Sequence, residues 1–221
     1  SYIGQQEQTV NKYKGYGAMI IKRLILGPVA TNCYIFLDED SKEAAVIDPS
    51  ADHESILNLI KENGYKLKKI FLTHGHYDHI GGLSGLLEAE PEAKVYAHEV
   101  LGEPRVNLSG ELGRKEETFK ADIALKDGDI IPFGKDEFKV IYTPGHTIDG
   151  ICLVIDGKVF CGDTIFRFSV GRTDFPTGDM SQEVQSIKTK IMPFDDSVRL
   201  YPGHGEPTTV GDERRGNPYL R

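Results

Sequence analysis

Thr73-His74-Gly75-His76-Tyr77-Asp78-His79 decides how this chain is read, because it sets three imidazoles and one carboxylate within six residues, directly after the strand-like run Lys69-Ile70-Phe71-Leu72. A strand end that opens into such a loop presents four potential metal ligands at one sheet edge. Imidazole and carboxylate donors suit zinc, iron and manganese, whereas a thiolate site would need cysteines that are not here. Side chains alternate along extended backbone, so His74 and His76 face the same way. Asp78 and His79 are adjacent and diverge, which favours two neighbouring ions over one.

A chance cluster of surface His is the competing reading, and it weakens downstream. Thr143-Pro144-Gly145-His146-Thr147, Phe160-Cys161-Gly162-Asp163-Thr164 and Tyr201-Pro202-Gly203-His204-Gly205 each set another His or Asp after a strand-like run. Together with His74-x-His76-x-Asp78-His79, these blocks resemble, in kind and order, the signature of the metallo-β-lactamase-fold hydrolases. The resemblance implies an α/β chain folded as an αββα sandwich, with two mixed β-sheets covered by helices. It also implies one ion on His74, His76 and His146, a second on Asp78, His79 and His204, and Asp163 bridging them. Two divalent ions about 3.5–4 Å apart can share a hydroxide, held here by Asp163, and polarise a carbonyl. Zinc is the first expectation, with iron or manganese as alternatives. With a single ion, Asp78 becomes a general base instead of a ligand.

Asp48 closes the run Glu43 to Ile47, and a carboxylate ending a buried strand needs a partner. It reads either as a turn residue before a helix that starts near Ala51, or as the acceptor that orients a ligand imidazole.

The segment 164–176 resembles the compact glyoxalase II-like, or hydroxyacylglutathione hydrolase-like, branch of that superfamily. The expected substrate is therefore a small-molecule thioester of the S-lactoylglutathione type. Gly171-Arg172-Thr173-Asp174-Phe175 also resembles the persulfide dioxygenases, which use a single non-heme iron on the same fold, and fold alone does not choose between them. The full ligand set ranks hydrolysis first. Arg167 and Arg172 are candidates to grip a substrate carboxylate, or else form structural ion pairs with Asp174 or Asp179. With 17 residues beyond His204, the expectation is a compact form without the C-terminal helical domain that contributes glutathione contacts in full-length glyoxalase II, which puts glutathione selectivity in question.

Composition is ordinary for a soluble protein. The 221 residues carry 39% hydrophobic and 27% charged side chains and a net charge of -8, which argues against a dedicated nucleic-acid binder. No apolar run approaches the roughly 18 residues of a membrane span and no signal peptide opens the chain, so the expected location is cytoplasmic. Cys33, Cys152 and Cys161 sit in apolar runs and read as buried free thiols. Residues 1–18 are polar and aperiodic, an N-terminal extension or expression remnant, and 19–221 read as one domain. Residues 103–119 are charged and read as a solvated loop or a flap over the metal cleft. His53 and His98 stand outside the motifs and read as helix-cap or surface residues.

Overall fold

The computed structural model describes residues 8–12 along the backbone and residues 19–100 and 120–221 with their side chains. The loop expected at 103–119 and most of the leader lie outside these residues.

The first half runs β1 (Gln8–Lys12), β2 (Met19–Leu26), β3 (Thr31–Asp38), β4 (Glu43–Ile47), α1 (His53–Glu62), β5 (Lys66–Phe71), α2 (Tyr77–Ile80), α3 (Leu83–Ala89), β6 (Lys94–His98) and β7 (Ile123–Leu125). Its seven strands form a sheet in chain order, antiparallel from β1 to β4 and parallel from β4 to β7. The second half runs β8 (Ile130–Phe133), β9 (Asp136–Tyr142), β10 (Ile151–Ile155), β11 (Lys158–Gly162), a hairpin of β12 (Ile165–Phe166) and β13 (Ser169–Val170), α4 (Met180–Ser186), β14 (Arg199–Pro202), β15 (Thr208–Thr209) and α5 (Val210–Gly216). Six of these strands form the second sheet, in the order β15-β14-β11-β10-β9-β8, with only β11 and β14 parallel.

Side-chain alternation explains the layering. In β3, Cys33, Ile35 and Leu37 join Ile56, Ile60, Leu83 and Leu86 of α1 and α3 in one apolar layer. The alternate residues, Tyr34 and Phe36, meet Phe138, Leu153 and Phe160 of the second sheet in a central layer. A third layer packs Cys152, Val159 and Cys161 against Ile187, Ile191 and Val210. The order is helix, sheet, sheet, helix, the αββα sandwich of two mixed sheets. A strand buried on both faces reads as a continuous apolar run, and β3 is buried at every position.

Local chemistry sets the boundaries. Asp52 caps α1 by accepting from the Ser55 N–H, and Gly64 leaves the helix with φ +79°, a value that L side chains adopt with strain. α4 runs on into a π-helical turn, Ile187–Ile191. Within the aperiodic leader, Gln8–Lys12 adds an edge strand to β2. His98 departs from its expected surface role: it is buried and stacked on Tyr142, with centroids 4.3 Å apart. His53 opens α1 and is half-buried. No helix among the described residues is long and apolar enough to cross a membrane.

Candidate metal centre

All seven expected ligands converge where the two sheets meet. β5 delivers His74 and His76, the short α2 carries Asp78 and His79, and the ends of β9, β11 and β14 deliver His146, Asp163 and His204. Ligand atoms of His74, His76 and His146 lie within 4.8 Å of one another, as do those of Asp78, His79 and His204. Asp163 lies between the groups, with Oδ2 at 3.6 Å from His146 Nε2 and 3.4 Å from His204 Nε2.

Three of the imidazoles are oriented from behind. His79 Nδ1 donates to Asp48 Oδ2 at 2.8 Å, and Asp48 also accepts from the Thr73 N–H and Oγ1–H at 2.8 and 2.6 Å. Thr73 Oγ1, its proton committed to Asp48, accepts from His74 Nδ1 at 3.1 Å. His146 Nδ1 donates to the Arg172 carbonyl at 2.6 Å. Asp48 thus follows the end of β4 with its carboxylate against the His79 imidazole.

These hydrogen bonds fix tautomers and thereby the character of the pocket. His74 Nε2 and His146 Nε2 carry lone pairs, yet they stand 3.1 and 3.0 Å from His76 Nδ1. One proton on His76 can serve only one of them. His79 Nε2 faces Asp163 Oδ1 at 3.3 Å and Asp78 Oδ2 at 3.5 Å, and neither His79 Nε2 nor Asp163 Oδ1 completes a hydrogen bond. Lone pairs converging on lone pairs, inside a buried pocket, fit cations at both positions.

Electrostatics separate the two groups. Burial holds His74 well below the usual imidazole range, and burial with His146 lowers His76 to about 3. Burial also disfavours charge on His79 and His204, but Asp163 and Asp48 raise the first well above its ordinary value, and hydrogen bonds to Asp163 and Asp78 raise the second to about 9. Burial works against an ionised Asp163 too, and the charge on His79 with the bond from His204 brings it well below the carboxylate range.

The His204 loop is gripped by the first half of the chain. Asn32 Nδ2 donates to the carbonyls of Pro202 and Gly205, both at 2.9 Å, Tyr34 donates to Pro202 at 2.7 Å, and Arg23 Nη1 donates to Gly205 at 3.2 Å. A Cβ on Gly203 would collide with the Asp163 carboxylate and the His79 ring, which accounts for the glycine before His204. Sequence reasoning passed over Arg23 and Asn32, although Arg23 shares the inward face of Met19 and Ile21 and Asn32 interrupts an apolar strand. It also missed Glu183, which is buried, accepts from the His146 N–H at 2.9 Å and is pushed up to about 9 by burial. A glutamate in a helical first turn looks like a surface residue, and no signal distinguishes this one.

A cleft of about 570 Å³ opens over the ligands, lined also by Val29, Tyr77, Phe166, Ser169, Val170, Arg172 and Phe175. Arg172 lines it but makes a bidentate pair with Asp174, at 2.8 and 2.7 Å. Arg167 is exposed outside the lining, its guanidinium over the Phe168 ring.

Residues 26–204 match the family model described as the metallo-beta-lactamase superfamily. The chain is 35% identical over 202 residues to the hydroxyacylglutathione hydrolase GloC of Haemophilus influenzae, covering 86% of this chain and 92% of that protein. Among solved structures it resembles the BLEG-1 B3 metallo-beta-lactamase, with a TM-score of 0.82, 35% identity, and 90% and 99% of the two chains covered. It also resembles ETHE1 from Myxococcus xanthus, with a TM-score of 0.78, 29% identity, and 90% and 83% covered.

Proposed function

Because this chain belongs to the metallo-beta-lactamase superfamily, a superfamily of metal-dependent hydrolases, we propose that it is a dinuclear thioester hydrolase of the glyoxalase II type. The observation that carries the reading is the seat of Asp163 between His146 and His204, at 3.6 and 3.4 Å, where one carboxylate serves both ligand groups. His74, His76 and His146 hold one ion, Asp78, His79 and His204 the other, with zinc the first candidate. Bound there, such ions acidify water into a nucleophile and polarise a carbonyl.

The chain's own residues supply orientation and exclusion. Thr73, Asp48 and the Arg172 carbonyl hold three imidazoles with Nε2 turned to the cleft. Cys33, Cys152 and Cys161 are fully buried, so no thiol is positioned as a covalent nucleophile. A thioester bound in the cleft would present its carbonyl to the ligand edge. The relationship to a hydroxyacylglutathione hydrolase at 35% identity supports the substrate class.

A second reading, persulfide oxidation at a single iron, is favoured by the likeness of 171–175 to the persulfide dioxygenases and by the fold shared with ETHE1. The test is release of free thiol from S-lactoylglutathione, beside oxygen uptake on glutathione persulfide and turnover of a chromogenic cephalosporin. Thiol release lost in Asp163→Asn supports the proposal. Oxygen uptake without thiol release selects the second reading, and cephalosporin turnover alone replaces the thioester with a β-lactam.

A further inference from the structure

The walls of the cleft differ in chemistry from its floor. The floor is the ligand edge, and the walls are apolar. Phe175 stands edge-on to His76 with centroids 5.8 Å apart, and Phe166 flanks His204 at 6.1 Å, so one aromatic ring borders each ligand group. Val29, Tyr77 and Val170 extend the apolar part of the lining, with Ser169 and Arg172 its polar wall members, and Val29 is 45% exposed. Aromatic and aliphatic groups facing solvent around a polar floor mark a surface that an apolar ligand covers.

Both rings are held in place. Phe166 lies on the hairpin of β12 and β13, which is anchored at its tip: buried Glu213 accepts from the Phe168 N–H at 2.9 Å, and Asn217 Nδ2 donates to the Ser169 carbonyl at 3.0 Å. Phe175 is covered by the Arg172 guanidinium, 3.9 Å from the ring centroid. That guanidinium is in turn fixed by both oxygens of Asp174. Arg172 is the one arginine or lysine lining the cleft among the described residues, and its charge is already matched. The remaining charged lining groups are Asp78, Asp163 and ligand imidazoles. Apart from the ions proposed for the floor, no unmatched cation among the described lining residues complements the two carboxylates of a glutathione carrier.

We infer that the cleft selects thioesters with uncharged, apolar arms over thioesters carried on glutathione, with Phe166 and Phe175 as specificity-determining residues. This rests on the thioester-hydrolase reading and narrows its substrate class. Bond cleavage is the ordinary hydrolysis: water adds to the carbonyl carbon, the C–S bond breaks, and a carboxylate, a thiol and a proton leave. Each methylene buried against the walls should raise kcat/KM about threefold.

The test is a matrix of acetyl, hexanoyl and benzoyl thioesters, each on N-acetylcysteamine and on glutathione, assayed by thiol release with wild type, Phe166→Ala and Phe175→Ala, and with metal content measured for each protein. The inference expects kcat/KM to rise at least about tenfold from acetyl to hexanoyl on the neutral carrier, and the neutral carrier to match or exceed glutathione. The alanine variants should lose that chain-length gain through KM, with metal content unchanged. A preference of tenfold or more for the glutathione thioesters overturns the inference and leaves the hydrolase reading standing. Turnover of no thioester overturns both. A chain-length gain that survives both alanine variants removes the two rings from the selection and overturns their assignment.

Discussion

Asp48 Oδ2 lies 2.8 Å from His79 Nδ1, and Asp48 holds that position from a left-handed backbone, φ 53°, at the end of β4. The strand end is bent so that one carboxylate can reach both the imidazole and the Thr73 N–H and hydroxyl. Asp48→Ala removes the acceptor that fixes the His79 tautomer and strands two buried donors of Thr73. Affinity for the ion on Asp78, His79 and His204 should fall about 10- to 100-fold, with a smaller loss at the three-His group, which Asp48 reaches only through the Thr73 hydroxyl. Titration against a competing chelator resolves the two affinities; equal loss at both positions would contradict this division of roles.

His76→Ala and Asp163→Asn test the ligands themselves. Both side chains face the cleft edge and neither belongs to an apolar layer. Thioester hydrolysis should drop by about three orders of magnitude or more, while circular dichroism shows the same folded secondary structure as wild type. Collapse of the fold would place these groups in the core's service instead.

Asp149, beside the backbone of Gly75 in the His74–His76 loop, gives a pH signature of its own. It is buried, and burial raises its carboxyl from 3.8 to about 6. Between these values the unfolded chain releases the proton while the folded chain keeps it, so stability falls as pH rises through the window and stays lower above it. Asp149→Asn removes that loss. Its stability relative to wild type, measured by denaturant titration in chelator, should climb between pH 4 and 6 by on the order of 2–3 kcal/mol and then level. A flat difference would contradict the raised carboxyl.

The three thiols should be inert in the folded state. Burial pushes the Cys33 and Cys161 thiols well up, and Cys152 is as fully buried. A thiol-disulfide reagent should find essentially no thiol natively and three equivalents in denaturant. Rapid native labelling of any one would show a thiol the layers do not cover.

Much of the site was legible because ligand chemistry is written in residue types. His and Asp after strand ends announce themselves, and Glu43–Ile47 and Ile151–Ile155 carry their strands in plain apolar runs. The layers followed from the resemblance, because periodicity lists strands without assigning them to sheets. The missed elements are short or peripheral: Ile123–Leu125, the two-residue strands of the hairpin, and Thr208–Thr209 are defined by neighbours more than by their own sequence. Glu183 was invisible for the same reason, since only tertiary packing converts a first-turn acid into a buried partner of His146. His98 misled because a polar residue past a strand looks exposed until Tyr142 is seen stacked upon it.

The central claim is that two ions are held and shared through Asp163, and the most direct measurement is metal content per chain on anaerobically purified protein, with thiol release from a thioester recorded on the same sample. The account predicts about two ions per chain in wild type, fewer than two in His204→Ala, and thiol release that follows occupancy of both positions. One iron per chain, full retention of that iron in His204→Ala, and oxygen uptake in place of thiol release would contradict it.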